Sequence, residues 1–301
     1  QRHPGVEIET CNSYEGLPAV LEAFQPQVVY SVRFDGTPRF PRQALAECRS
    51  LRWIAIGGSG TDHLARWDPA TLTVTNAAGV ASDMMAEYVL GGMLYFSLNL
   101  DQFARAQRRG QWLAGGSVTP IGGKTLLIVG LGKTGQAVAQ RARAMGMTVL
   151  GVRATARPAA NVDEVHGFQN LPALLPRADY LVLCAPLLPS TKGLIDAPAL
   201  SLLPPTSVLI DVSRGGITDQ KALLAALEAD RLRGAALDVF TTEPLPADSP
   251  LWAREDVVIT PHCSSVYDGW ENRSVEIFCD NLARWRKGEP LDNVVDPERG
   301  Y

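Results

Sequence analysis

The sequence predicts an α/β fold: a doubly wound parallel sheet, preceded by a smaller α/β unit. Three observations carry that expectation. From Thr125 onward, short β-branched runs alternate with helical patterns at the period of strand–helix units. A glycine-rich turn follows the first of these strands and opens the first helix. The earlier part of the chain repeats the alternation more weakly, and 301 residues, 46% of them hydrophobic, suffice for two domains.

In the first part, VVYSV, PRQALAEC, LRWIAIGG and LTVTNAA carry the alternation. A long helical pattern over residues 82–109 is expected to connect the two units, with Gly91 and Gly92 its weak points because glycine disfavours a helix interior. The strands expected next are TLLIVG, TVLGV, YLVLCA, SVLIDVS, AALDVF and VVITPH. Helices such as GQAVAQRARAMG and DQKALLAALEAD separate them; Thr218 and Asp219 are plausible caps for the latter, which closes near Gly234. Residues 268–287 read as a last helix, free to pack back on the first unit. There is no internal repeat and no low-complexity tract.

The bulk properties narrow the partners. Net charge is -4, the pI is about 5.6, and no block of Lys and Arg stands out, which argues against nucleic acid or an anionic membrane. Cys11, Cys48, Cys184, Cys263 and Cys279 are odd in number and lack metal-ligand spacing, so neither a disulfide framework nor a metal site is expected, and a reducing cytoplasm fits. The most apolar stretch, YVLGGMLYF, is too short to span a bilayer. Gln1 in place of an initiator methionine leaves a removed leader open.

The turn after TLLIVG is Gly130-Leu131-Gly132-Lys133-Thr134-Gly135, a G-x-G-x-x-G between strand and helix. In that context Gly130 permits the tight turn, Gly132 lets the backbone approach a pyrophosphate, and Gly135 lets helix and strand pack closely. A dinucleotide site is expected. Such sites place an acid about 20 residues on, for the adenosine ribose; here the second strand runs instead into Arg153, Thr155 and Arg157. Arginine pairs bidentately with a 2′-phosphate that a carboxylate would repel, which predicts NADP(H). The alternative is that both arginines are solvated loop charges.

Three further residues lie past strand ends: Arg214 in DVSRGG, Glu243 in DVFTTEPLP and His262 in TPHCSS. They suit hydride transfer to a 2-oxo acid, which needs a cation for the carboxylate and carbonyl, a proton donor, and an anion to keep that donor protonated. Singly, each reads equally well as a cap, a turn carboxylate or a satisfied histidine. Of the competing histidines, His3 is terminal, His166 sits in a polar connector, and His63 is a distant second choice. GGSGTDHLA, residues 57–65, is a glycine-rich turn whose backbone amides could form a small anion nest.

Together, GGKTLLIVGLGKTGQAVA, CAPLLPSTKGLI, DVSRGGITDQKAL, GAALDVFTTEPLP and VVITPH resemble the D-isomer-specific 2-hydroxyacid dehydrogenases, and within them the glyoxylate/hydroxypyruvate reductases, over nearly the whole chain. The resemblance implies a flavodoxin-like substrate domain built from both termini, residues 1–94 and 269–301, around a Rossmann-type dinucleotide domain, residues 95–268. It implies substrate binding by Arg214 with the backbone amides of Ser59 and Gly60, a histidine-orienting acid at Glu243 and the acid/base at His262. It places Asp238 on the nicotinamide amide, and Ala185, Pro186, Thr191, Val212, Ser213 and Ser264 along the cofactor. Many NAD-dependent members end the second strand in Asp; Arg153 departs from them. The chain also ends at Tyr301 without the regulatory extension of many phosphoglycerate dehydrogenases.

The expected activity is NADPH-dependent reduction of a small 2-oxo acid, glyoxylate or hydroxypyruvate, to a D-2-hydroxy acid, with NAD(H) as the other possible cofactor. The rivals are a dehydrogenase of phosphoglycerate, formate or phosphite on the same frame, and a non-catalytic NAD(P)-sensing protein like the corepressors that share this fold. A homodimer is expected from the resemblance and from an apolar arm over residues 88–112. The alternative there is a helix buried between the two domains of one chain.

Overall fold

A computed structural model of the chain describes residues 3–32, 40–61, 63–64, 66–114 and 118–297. It forms two compact units, Gln1–Val80 with Tyr267–Tyr301, and Ala81–Val266.

The smaller unit holds three parallel strands in chain order, β1 (Val28–Ser31), β2 (Trp53–Ile56) and β3 (Thr73–Asn76). Both faces are covered, as a parallel sheet requires. Ile54, Ile56 and Val74 pack with Leu21 of α1 (Leu17–Phe24) and Leu45 of α2 (Arg42–Glu47). The alternate residues Trp53 and Ala55 pack with Phe278, Leu282 and Trp285 of the C-terminal helix (Trp270–Lys287). The expected last helix thus closes the first unit. Buried Trp53 satisfies its indole N–H by donating to Thr75 Oγ1 at 2.9 Å.

The larger unit is a seven-stranded parallel sheet: β4 (Thr125–Val129), β5 (Thr148–Val152), β6 (Glu164–His166), β7 (Tyr180–Leu183), β8 (Val208–Asp211), β9 (Gly234–Leu237) and β10 (Val257–Ile259). The spatial order is β10-β9-β8-β7-β4-β5-β6. Strand order therefore reverses between β4 and β7, the crevice where such sheets take dinucleotides. Leu126 and Ile128 face the core beneath α3 (Ser82–Ser97) and, after α4 (Leu100–Arg108), α5 (Lys133–Ala144); Leu127 and Val129 face the opposite core. The latter is closed by α6 (Leu171–Leu174), α7 (Ala197–Ser201) and α8 (Gln220–Glu228). Asp219 caps α8, accepting from the Lys221 and Ala222 amides.

Three expectations change here. The division between units falls after Val80, against residue 94 expected from the sequence, because α3 buries Ala86, Val89, Met93 and Phe96 in the same core as Leu126 and Ile210. The pattern over residues 82–109 is two helices, and the break is at Leu98 and left-handed Asn99 (φ 52°), not at the glycines. Gly92 instead lets α3 lie close on the sheet: a Cβ there would come within 3.3 Å of the Ala236 side chain. His166, expected in a connector, lies on edge strand β6. Among the described residues no helix is long and apolar enough to cross a membrane.

Candidate active site

The glycine turn sits at the switch point, and each glycine has a distinct reason to be there. Gly130 has φ 103°, and a Cβ on it would lie 2.6 Å from the Ala185 amide nitrogen at the end of β7, so only glycine lets β4 pass β7 this closely. A Cβ on Gly135 would overlap the Gly130 carbonyl oxygen; its absence seats α5 against β4. Gly132, the N-cap residue of α5, faces open space, the one position of the three where a ligand can approach the backbone. Leu131 is buried over Gly151, and Lys133 and Thr134 begin the helix, Lys133 exposed. This cradle fits a pyrophosphate at a helix N-terminus.

Arg153 follows β5 directly. Its amide donates to the His166 carbonyl at 3.0 Å, while Thr155 and Arg157 lie in the exposed loop beyond. The acid on the neighbouring strand is committed elsewhere: Glu164 accepts from Arg177 and bonds His166, and these partners hold its carboxyl down at about 2. Among the described residues neither Arg153 nor Arg157 makes an ion pair.

The other residues assigned to the cofactor are mostly engaged within the chain. Ala185 and Val212 are buried and Pro186 is exposed. Thr191 is buried and pins its own loop, donating to the Pro186 carbonyl at 2.6 Å and accepting from the Leu188 amide. The Ser213 hydroxyl donates to Asp211, and the Ser264 amide donates to Asp238.

Arg214, Glu243 and His262 follow β8, β9 and β10, three adjacent strands, beyond their carboxyl ends. His262 Nδ1 pairs with Glu243 Oε2 at 2.8 Å, which leaves Nε2 as the ring atom available to a substrate. Glu243 Oε1 accepts from the Phe240 amide at 2.9 Å, so the carboxylate is oriented from both sides. Phe240 also meets the Arg214 loop, since a Cβ on Gly215 would overlap its carbonyl. One backbone residue thus joins the loop of the cation to the anion that holds the histidine. His262 itself is left-handed (φ 52°), its amide bonded to the Asp238 carbonyl at 2.9 Å.

Residues 90–264 match the sequence profile of the D-isomer specific 2-hydroxyacid dehydrogenase NAD binding domain. The chain belongs to this family. It is 34% identical to the glyoxylate reductase of Korarchaeum cryptofilum over 85% of this chain and 78% of that protein. It is 32% identical to the D-3-phosphoglycerate dehydrogenase of Methanocaldococcus jannaschii over 97% of this chain, yet spans only 55% of that relative's length. Among solved structures it resembles the NADPH-dependent glyoxylate/hydroxypyruvate reductase of Sinorhizobium meliloti in complex with NADP and sulfate, with TM-score 0.80 and 28% identity over 90% of this chain and 86% of that one.

In this family member the remaining histidines have other partners: His3 bonds the Cys279 carbonyl, His63 stacks edge-on against Phe40, and His166 is held by Glu164. In the smaller unit, Ser59 is exposed and Gly60 partly so; their turn is fixed from its carbonyl side by the Ser274 hydroxyl on Gly57, the Ala77 amide on Gly58 and the Asn76 amide on Ser59. Asp62 and Ala65 of that turn lie outside the described residues.

The resemblance places Asp238 on the nicotinamide amide and the sequence singles out no role for Asp211; in the structure both are supports. Asp238 is fully buried, and its carboxylate accepts from the Thr260 hydroxyl (2.6 Å) and the Cys263 and Ser264 amides (both 2.9 Å), which fixes the backbone around His262. Since Thr260 donates there, Tyr88 donates to Thr260 at 2.7 Å, and burial pushes the Tyr88 phenol up to about 12. Asp211 is the second support. An acid inside an otherwise apolar strand is the sequence signal that marks both.

Proposed function

We propose that the chain is an NADPH-preferring reductase of small 2-oxo acids, glyoxylate or hydroxypyruvate, giving D-2-hydroxy acids. The observation that carries this reading is the Glu243–His262 pair beside Arg214 on adjacent strand ends. The glycine cradle would hold the pyrophosphate of a nicotinamide dinucleotide and Arg153 would take its adenosine 2′-phosphate; such a cofactor, when bound, would supply the hydride. Arg214 binds the substrate carboxylate and polarises the carbonyl through its planar fork. His262 delivers the proton from Nε2 to the carbonyl oxygen, and Glu243, fixed at Nδ1, stabilises the imidazolium that must precede the transfer. The names of the relatives above support the substrate class; the NADP-bound Sinorhizobium enzyme supports the cofactor.

The experiment is a panel of glyoxylate, hydroxypyruvate, 3-phosphohydroxypyruvate and pyruvate, assayed with NADPH and NADH by loss of nicotinamide absorbance. Highest kcat/KM on the phospho-acid would transfer the chain to the phosphoglycerate reading, and no turnover would favour a cofactor-sensing protein.

We also propose a homodimer. The arm divides in two: α3 buries one face, Val89, Met93 and Phe96, within its unit, whereas Leu98, Leu100 and Trp112 are exposed, Trp112 by 95%. An exposed tryptophan with two exposed leucines on the same arm supports an interaction surface there. Sedimentation at micromolar protein should give the dimer mass, and a monomer alone would refute it.

A further inference from the structure

We propose that Asp211 is the positioning residue for Arg214, its buried carboxylate tying together the two feet of the loop that presents the guanidinium. The proposal rests on the reading of Arg214 as the substrate-binding cation. Asp211 ends β8 and is only 3% exposed. Its Oδ1 accepts from the Ser213 amide at 3.0 Å and from the Ser213 hydroxyl, on the near side of Arg214. Its Oδ2 accepts from the Thr218 hydroxyl at 2.9 Å, on the far side. One carboxylate thus spans the segment Val212–Ile217, using both oxygens.

That segment needs a clasp. It contains Gly215 and Gly216, the latter at φ 97°, and two consecutive glycines give a chain its greatest backbone freedom. The apex is held separately: the Gly216 carbonyl accepts from the Gly193 amide at 2.8 Å, and Gly215 abuts the Phe240 carbonyl. The near foot, Ser213, hangs on Asp211; the far foot is bridged to Ile195, whose amide donates to the Ile217 carbonyl at 3.1 Å and whose carbonyl accepts from the Asp219 amide at 2.9 Å, and Asp211 adds the side-chain tie at Thr218 that joins it to the near foot. Arg214 Nη1 turns back to the Ser213 carbonyl at 2.8 Å, so a displaced Ser213 carries the guanidinium with it. A misplacement of about 1 Å suffices to cost a hundredfold in rate for groups that must meet a reacting atom. Burial pushes the Asp211 carboxyl up to about 6, with Asp238 adding to the rise and the Ser213 and Thr218 bonds opposing it. An acid held at that cost, and outside the Arg214–Glu243–His262 set, is accounted for by what it holds.

The test is a double-mutant cycle on the full chain with NADPH and glyoxylate. Asp211→Ala and Thr218→Val are each made in the wild-type and Arg214→Gln backgrounds, and Asp211→Asn serves as the conservative variant. Asp211→Ala and Thr218→Val should raise KM for glyoxylate by about tenfold or more, and Thr218→Val, which leaves Ser213 bonded to Asp211, should keep its NADPH affinity, read by fluorescence, within about twofold of wild type. Asp211→Asn, which can still accept from Ser213 and can donate to Thr218, should recover to within about threefold. In the Arg214→Gln background neither change should cost more than about a further twofold, since the group being positioned is gone. Unchanged KM in Thr218→Val, or an equal loss in both backgrounds, overturns the proposal and leaves Asp211 a structural acid. Normal turnover by Arg214→Gln instead overturns the functional reading, and the positioning role with it. Should Asp211→Ala fail to fold, Thr218→Val alone decides, because it removes one hydroxyl and keeps the side-chain shape.

Discussion

Arg153→Asp should invert the cofactor preference. The main chain at Arg153 is fixed, its amide bonded to the His166 carbonyl at 3.0 Å directly after buried Val152. The guanidinium therefore starts from an anchored base and loses less freedom on pairing than Arg157 does in the exposed loop. A hydrogen bond to a charged group contributes about 1.5–3 kcal/mol net, which is about 10- to 150-fold in affinity. Aspartate adds repulsion against a phosphate that carries nearly two charges: about 1 kcal/mol per unit charge at 4 Å in water, and about 4 at the effective dielectric of a protein surface. The lost pairing and the repulsion together should raise KM for NADPH by at least about tenfold, with NADH use unchanged or improved. Arg157→Ala should cost less than about 1 kcal/mol, since exposed pairs contribute little. The assay is initial rates with each cofactor at one low salt concentration, because screening erodes exposed contacts. Wild-type kcat/KM favouring NADH, or an unchanged cofactor ratio in Arg153→Asp, would show the arginines to be surface charges only.

His262→Ala should lower kcat by about 10²- to 10⁴-fold, the usual loss of a general acid, while NADPH still quenches protein fluorescence; normal turnover would assign the proton to another donor. Arg214→Lys keeps the charge and loses the fork, and kcat/KM on 2-oxo acids should fall by about tenfold or more. Near-normal kcat/KM there would leave Arg214 a structural cation.

The larger sheet was legible because parallel strands buried on both faces are written as short apolar runs, and the runs beginning at Thr125, Thr148, Tyr180, Ser207 and Val257 contain the strands they announced, while β9 begins one residue before its run, at Gly234. The three glycines were legible for a different reason: each answers a separate steric demand, open space at Gly132 and backbone contacts at Gly130 and Gly135. The periodicity of α3 said that one face is buried but not what covers it, which displaced the division between units by 14 residues, 94 against 80. The break at Asn99 carries only a left-handed asparagine between two good helical patterns. Edge strand β6 spans three residues and helix α1 is framed by Pro18 and Pro26, both too short for a period to register. Of the site, the residues that would touch substrate were legible at strand ends, while the clasp at Asp211, the last residue of β8, was hidden in its strand, and Asp238, one residue past β9, was named without its role in holding the histidine loop.

The clasp also has a signature in stability. Burial raises the Asp211 carboxyl from 3.8 to about 6, so the folded chain holds this proton more tightly than the unfolded chain does. Its stabilising contribution is complete below the unfolded value and is lost as pH climbs through 6. At 1.36 kcal/mol per unit, the loss between pH 4 and pH 7 is about 2 kcal/mol. Other carboxylates run the opposite way: Glu164, drawn down to about 2 by Arg177 and His166, loses its contribution as pH falls below 4.5. The comparison with Asp211→Asn removes those shared contributions. Urea unfolding of both proteins from pH 4 to pH 7 should show the asparagine variant gaining on wild type by about 2 kcal/mol as pH rises. A constant gap would mean that the carboxyl titrates near its ordinary value and that its burial is not costly. With the expected slope, the ionised carboxylate destabilises the fold at neutral pH and yet holds the loop of Arg214, a local cost of the kind that functional sites carry and stability alone would not retain.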